Sequence, residues 1–264
     1  MPRPQTLARH RPGGTGAPAP MRPDYRRCMH PMEHLRLVAR SGAYPGERVR
    51  SVAIEAGAAL APVASRPGGL LTACRRLLAR RPGDGPLLWL AATALAASDQ
   101  PSALGGAVDR LRSDPTGERA AIALPDGAVV VTGPGAALGV GHGERGVQVV
   151  DGEPAAVVAA DIVVCRACLW GPEEWLAPEG TAAFVDAAVS AGAEVWVLAG
   201  LGTVPPRRMW DLATDGLDPG SHGLELLDTS SASFVVGPTG RTSPERASAR
   251  AEGPVVPELF AGGS

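Results

Sequence analysis

The chain has 264 residues, 45% hydrophobic and 20% charged, with a formal net charge of −2, the proportions of a globular protein built as one large domain or a small domain joined to a larger one. All 25 basic residues are arginine, which excludes a Schiff-base lysine, a P-loop lysine and a lysine general base. Aromatic residues make up 4%, too few for single-strand stacking platforms, and no apolar run approaches the roughly 20 residues of a membrane span.

Residues 1–50 hold ten arginines against Asp24, Glu33 and Glu47, a net +7, while 51–264 hold 15 arginines against 24 acids, a net −9. The first part, residues 1–31, is rich in Pro, Gly and Arg without hydrophobic periodicity, and is expected to be a disordered basic arm. Such an arm can touch phosphate, but a solvated tail, or a true start at Met29 or Met32, explains it more simply. It lacks the apolar region of a secretory signal. A cytoplasmic protein is expected.

From residue 32 to 115 the pattern is helical, in five segments: 35–42, 47–64, 68–82, 85–98 and 103–114. Leu70, Leu71, Cys74, Leu77 and Leu78 recur at spacings of three and four and mark one buried face. Arg81-Pro82 and Asp99-Gln100-Pro101 separate segments.

From residue 116 to 239 short Val/Ile/Ala runs alternate with Gly and one helical stretch, predicting a Rossmann-like parallel sheet with flanking helices. Strands are expected within 120–135, 146–165 and 193–200, and a helix over Gly180–Gly192, with Thr181 as N-cap and Gly192 as stop. Ligands in such sheets bind at the carboxyl ends of the strands, so Thr132–Gly135, Asp151–Glu153, Cys165–Cys168 and Ala199–Gly202 form the candidate rim. The glycines at 133–143 lack dinucleotide spacing, and no cofactor is expected. Residues 240–264 are polar and Pro/Gly-punctuated, and a disordered tail is expected.

Cys165 and Cys168 stand at CxxC spacing, but at the end of a strand-like run rather than at a helix N-terminus, and Cys28 and Cys74 supply no second pair. The reading is two packing residues at a buried strand end, with no metal. His142 and His222, in Gly-rich loops, have no partner spacing and are expected to be surface histidines.

The order of these segments, and above all DIVVCRACLWGPEEWLAPEGTAAFVDAAVSAGAEVWVLAG at 161–200 and LLARRPGDGPLLWLAATALAA at 77–97, resembles the initiation-factor-2B, methylthioribose-1-phosphate isomerase and ribose-1,5-bisphosphate isomerase superfamily. The resemblance spans roughly residues 34–212. It implies ligand contacts at Gly57, Ala58, Arg81, Thr132, Gly180 and Thr181, with Arg81 matching an arginine that holds substrate phosphate in the isomerases. Cys168 falls where that superfamily has its catalytic Asp, Ala177-Pro178 where it has Asn-Lys, and Pro134 near its catalytic Cys. Cys168 and Asp151 are what is left as candidate catalytic groups, with Glu153 a second possible carboxylate. The resemblance thus implies a divergent, non-catalytic member that binds a phosphorylated metabolite or nucleotide, or acts as a regulatory subunit in a homodimer or larger oligomer. Two alternatives stay open: an active aldose–ketose sugar-phosphate isomerase with relocated acid and base, and an RNA- or ribosome-associated translation factor. Neither nucleic acid nor membrane is an expected partner.

Overall fold

Four helices occupy residues 48–112: α1 (Arg48–Ala64), α2 (Gly69–Leu78), α3 (Gly85–Ala96) and α4 (Gln100–Arg112). In α2 the residues Leu70, Ala73, Cys74, Leu77 and Leu78 are buried, leaving Arg75 and Arg76 on the outer side. α3 is apolar all round and is buried on nearly every side as the central helix of this group. Asp84 caps it, accepting from Leu87 N at 3.1 Å, and Asp99 caps α4 through Ser102 N at 3.2 Å. α1 crosses α4 closely at Gly57, where a Cβ would overlap the Val108 side chain.

The structure, a computed structural model, describes residues 48–66, 68–139 and 145–261 together with Glu33 and Leu37, leaving aside the side chains of residues 48–51 and 151. The basic arm, most of the helical segment expected at 35–42, Cys28 and His142 lie outside the described residues. By its contacts, 31–264 is one unit, so the helical and α/β parts are described together.

After α5 (Thr116–Ala123) come β1 (Val129–Thr132), β2 (Gln148–Asp151), β3 (Ile162–Arg166), β4 (Leu169–Trp170), β5 (Glu174–Pro178), α6 (Thr181–Ala191), β6 (Glu194–Leu198), α7 (Arg207–Thr214), β7 (Leu224–Asp228), β8 (Phe234–Gly237), β9 (Gly240–Thr242) and α8 (Pro244–Ser248). A six-stranded sheet has the order β2-β1-β3-β6-β8-β9, and only β9 runs antiparallel to its neighbour. Side chains alternate across it. Val130, Ile162, Val164, Trp196, Leu198 and Val236 meet Ala120 and Leu124 of the α5 region on one face. Val131, Val163, Cys165, Val195, Val197 and Val235 meet Phe184, Val185 and Ala188 of α6 on the other. Both faces are apolar, which is why the strands read as continuous Val/Ile runs.

β4, β5 and β7 form a second, three-stranded antiparallel sheet. Trp170 and Trp175 stack in it with ring centroids 5.9 Å apart, both fully buried. Its order could not be read from local apolar pattern, because β7 lies far along the chain from β5.

Residues 240–261, expected to be a disordered tail, are instead built into the fold. β9 pairs with β8, and Arg241 lies over the Trp196 and Phe234 rings at 4.9 and 4.3 Å. The Ser248 hydroxyl accepts from Trp170 Nε1 at 2.9 Å and donates to Gly171 O at 3.0 Å, and Val256 and Leu259 are buried in the helical core. These contacts are polar or isolated in sequence, so hydrophobic periodicity carries no trace of them. The α/β part therefore extends beyond residue 239.

Candidate functional site

The chain leaves β1 for β2 on one side and returns to β3 on the other, so the β1/β3 boundary is the switch point where an open parallel sheet presents a crevice at its carboxyl ends. The N-terminus of α3 closes over the end of β3. Gly85 N donates to Cys168 O at 3.0 Å, and a Cβ at Gly85 would stand 2.7 Å from that oxygen and 2.9 Å from Gly202 O. Only glycine admits this approach.

Arg81 and Asp84 come to the β3 end on the turn before α3. Arg81 Nε lies 3.3 Å from Asp84 Oδ2, with 14% and 6% of the two side chains exposed. Burial pushes the Asp84 carboxyl up from its ordinary value, and the Arg81 guanidinium, the Leu87 N–H and the Arg166 guanidinium oppose that shift. Arg166 is the last residue of β3. It also acts on Cys168, whose thiol burial pushes up to about 11. The Arg166 guanidinium at the end of β3 and the Arg81–Asp84 pair thus act on the segment just past β3.

The three described cysteines are buried. Cys165 packs on the α6 face of the sheet and Cys168 in the helical core, so the two thiols belong to different cores. Burial raises Cys165 and Cys74 to about 12, which leaves all three protonated at neutral pH and poor nucleophiles. Cys74, Cys165 and Cys168 are free, and no cluster of metal-binding side chains exists among the described residues.

The candidate catalytic residues Asp151 and Cys168 stand at the ends of different strands, β2 and β3. Asp151 ends β2, in register with Thr132 on β1, which is in register with Val164 on β3; two strand spacings place it about 10 Å across the sheet from β3. Cys168 lies past the end of β3. Glu153 is exposed.

The ligand candidates fall in two groups. Thr132 is buried at the end of β1, and Pro134 next to it lies 3.7 Å from where a Gly180 Cβ would stand, so residues 132–134 and 180–181 meet. Thr181 does not cap α6 as expected: its hydroxyl donates to Pro178 O at 2.6 Å, and Gly180 holds the cap position at φ 89°. The Glu225 carboxylate fills that role instead, accepting from Gly180 N at 2.9 Å and Ala182 N at 2.7 Å. Gly57 lies at the α1–α4 crossing and Ala58 on the exposed side of α1. His222 is exposed.

Sequence reasoning missed Asp84, Arg166 and Glu225. Asp84 carries a readable signal, an Asp followed by Gly-Pro opening an apolar run, the pattern of an N-cap with proline in the first turn. Arg166 is the one charge interrupting the apolar run after Asp161. Glu225 has no local signal, because its partners are more than forty residues away.

No protein-family model matches the chain, and no curated protein matches it in sequence. Solved structures do match in shape. The chain is similar to an eIF-2B translation initiation factor from Pyrococcus horikoshii OT3, with a TM-score of 0.64, 12% identity, and coverage of 82% of this chain and 98% of that one. It is similar to eIF2B beta from Chaetomium thermophilum at TM-score 0.61 and 13% identity, over 83% and 89% of the two chains. A third, 5-methylthioribose 1-phosphate isomerase from Pyrococcus horikoshii OT3, aligns at TM-score 0.52 and 13% identity over 82% and 86%. The chain shares its fold with these initiation factors and with this isomerase. At these identities the fold is what is shared, and both translation initiation factors and an isomerase carry it. No helix among the described residues is long and apolar enough to cross a membrane.

Proposed function

We propose that this chain is a non-catalytic initiation-factor-2B-like protein that binds a phosphorylated metabolite or nucleotide where β1 and β3 end, and that it works as a regulatory subunit in a homodimer or larger oligomer. The observation that carries the reading is the company of Cys168. Arg166 ends β3 two residues before Cys168, whose carbonyl accepts from Gly85 N at 3.0 Å, and Arg81 pairs with Asp84 on the turn just before Gly85. Guanidiniums hold phosphate. Shifting a proton along a sugar phosphate needs a positioned acid and base, and the two candidates, Cys168 and Asp151, sit on different parts of the rim.

Asp84 is the group most able to serve an isomerase reading, since its carboxyl is buried and its pKa raised. Both of its oxygens are engaged, one by Leu87 N and the other by Arg81 Nε, so it acts as cap and partner to Arg81. Assembly follows by analogy with the tetrameric eIF2B-beta2-delta2 complex of C. thermophilum, a similar structure at TM-score 0.61 and 13% identity. Cytoplasmic placement belongs to the same proposal.

The test is thermal denaturation of the purified chain with methylthioribose-1-phosphate, ribose-1,5-bisphosphate and inorganic phosphate, together with its mass in solution. A rise in Tm with a phosphorylated ligand is expected, because a binder of the native state stabilises it. Arg166→Met should abolish the rise, and Arg81→Ala should weaken binding by roughly 1.5–3 kcal/mol, the scale of hydrogen bonds to a charged group. No rise with any phosphorylated ligand, or a rise that Arg166→Met leaves intact, overturns the site; a monomeric mass overturns the assembly.

A further inference from the structure

A cavity opens beside the turn before α3, lined in part by Pro82, Gly83 and Asp84. It has a volume of about 550 Å³, within the ~300–1,000 Å³ of ordinary small-molecule sites. Its floor is apolar, made by Leu88 of α3, Leu169 of β4 and Leu259, all buried, with the partly exposed Phe260 and Leu217 at its sides. Asp84, both of its oxygens engaged by Leu87 N and Arg81, and His222 also line it, and the walls carry opposite charge. Arg75 and Arg76, on the outer side of α2, stand on one, and Asp215 and Asp218, in the loop after α7, on the other. Arg75 Nε donates to Glu258 O at 2.7 Å, which fixes the C-terminal segment as a third wall.

We infer that this cavity is a binding site for a short apolar peptide with free ends, its carboxylate on the Arg75/Arg76 wall, its ammonium on the Asp215/Asp218 wall and its side chains on the leucine floor. Charge complementarity selects this class. A purely apolar ligand would leave both charged walls unmatched, and a phosphate ester would meet the two carboxylates on the loop wall. A dipolar molecule with an apolar body satisfies floor and both walls together. The two places meet at the Pro82–Asp84 turn, while Arg75, Arg76, Asp215 and Asp218 line only this cavity and Arg166 does not line it, so the two sites can be tested apart.

Titration calorimetry with trileucine tests it, against its C-terminal amide and its N-acetyl form. Saturable one-to-one binding is expected, with each blocked form weaker by about fivefold, the most that one exposed ion pair supplies. Arg76→Gln should remove the preference over the amide and Asp218→Asn the preference over the acetylated form. Leu217→Trp and, on the opposite wall, Ala79→Trp should each fill the cavity and abolish binding; both sites are at least partly exposed, so unchanged circular dichroism is the check on folding. Arg166→Met should leave trileucine binding unchanged, which separates failure here from failure at the strand ends. Absence of binding, equal affinity for the blocked forms, or binding that survives a cavity-filling variant with intact structure overturns the inference.

Discussion

The N-termini of α3 and α6 both face a carboxylate, but the two carboxylates come from different distances. α3 is capped by Asp84, the residue directly before it, and the same carboxylate meets Arg81 at 3.3 Å. α6 is capped by Glu225, which reaches back from β7. A helix N-terminus attracts anions through its exposed N–H groups and its dipole. At α6, where the resemblance places the ligand residues Gly180 and Thr181, the chain's own carboxylate occupies that position. At the β3 end, by contrast, the chain carries the Arg166 guanidinium and the Arg81–Asp84 pair, and it is there that the proposed function puts an external anion.

The largest effect expected from breaking this comparison is at Asp84. Asp84→Ala removes a buried cap and leaves the Arg81 guanidinium without that carboxylate, and should cost about 3 kcal/mol in urea unfolding, the low end for splitting a buried pair. Glu225→Ala should cost less, roughly 1.5–3 kcal/mol, from the loss of two charge-assisted hydrogen bonds. The loss should be local as well, with faster amide exchange at 180–183 while the helical region keeps its protection; uniform loss of protection would contradict an independent cap.

Smaller still is Cys168→Ala, about 1–2 kcal/mol for trimming one small core side chain. In the native protein Cys74, Cys165 and Cys168 should resist a thiol reagent until denaturant is added, because burial keeps each thiol protonated. Prompt native-state labelling of Cys168 would remove the packing account of the CxxC.

The smallest expected effect is a pH slope. The Asp84 pKa is raised in the folded state, so its contribution to stability is fully present below the unfolded pKa and is lost as pH rises through the folded value. Asp84→Asn keeps a good capping side chain and removes the titration. The Tm of wild type relative to this variant should therefore be highest in acid and fall as pH rises. A relative Tm that climbs with pH would mean that attraction to Arg81 outweighs burial.

Much of the fold was legible because its signals are local. The Val/Ile runs of β1, β3 and β6 and the Gly180–Gly192 limits of α6 come from residues within one element, and Gly192 ends that helix at φ 74°. The helices α1 to α4 followed from apolar spacing. What escaped was what depends on distant partners: the β4-β5-β7 sheet, the ordered segment after Gly240, and Glu225. The strand-end rim was legible from topology, and Arg81 from resemblance. Arg166 was passed over because it sits inside an apolar run whose strand pattern dominates the reading, and Asp84 because it falls between the helical segments 68–82 and 85–98.

The central claim is that the strand ends hold a phosphorylated ligand without turning it over. A 31P NMR time course of methylthioribose-1-phosphate with the protein tests both halves at once. The account predicts a substrate resonance that shifts or broadens on adding protein, recovers with Arg166→Met, and never gives way to a product signal. A growing ketose-phosphate resonance, above all one lost in Asp84→Asn or Asp151→Asn, would contradict it and make the chain an isomerase with relocated groups.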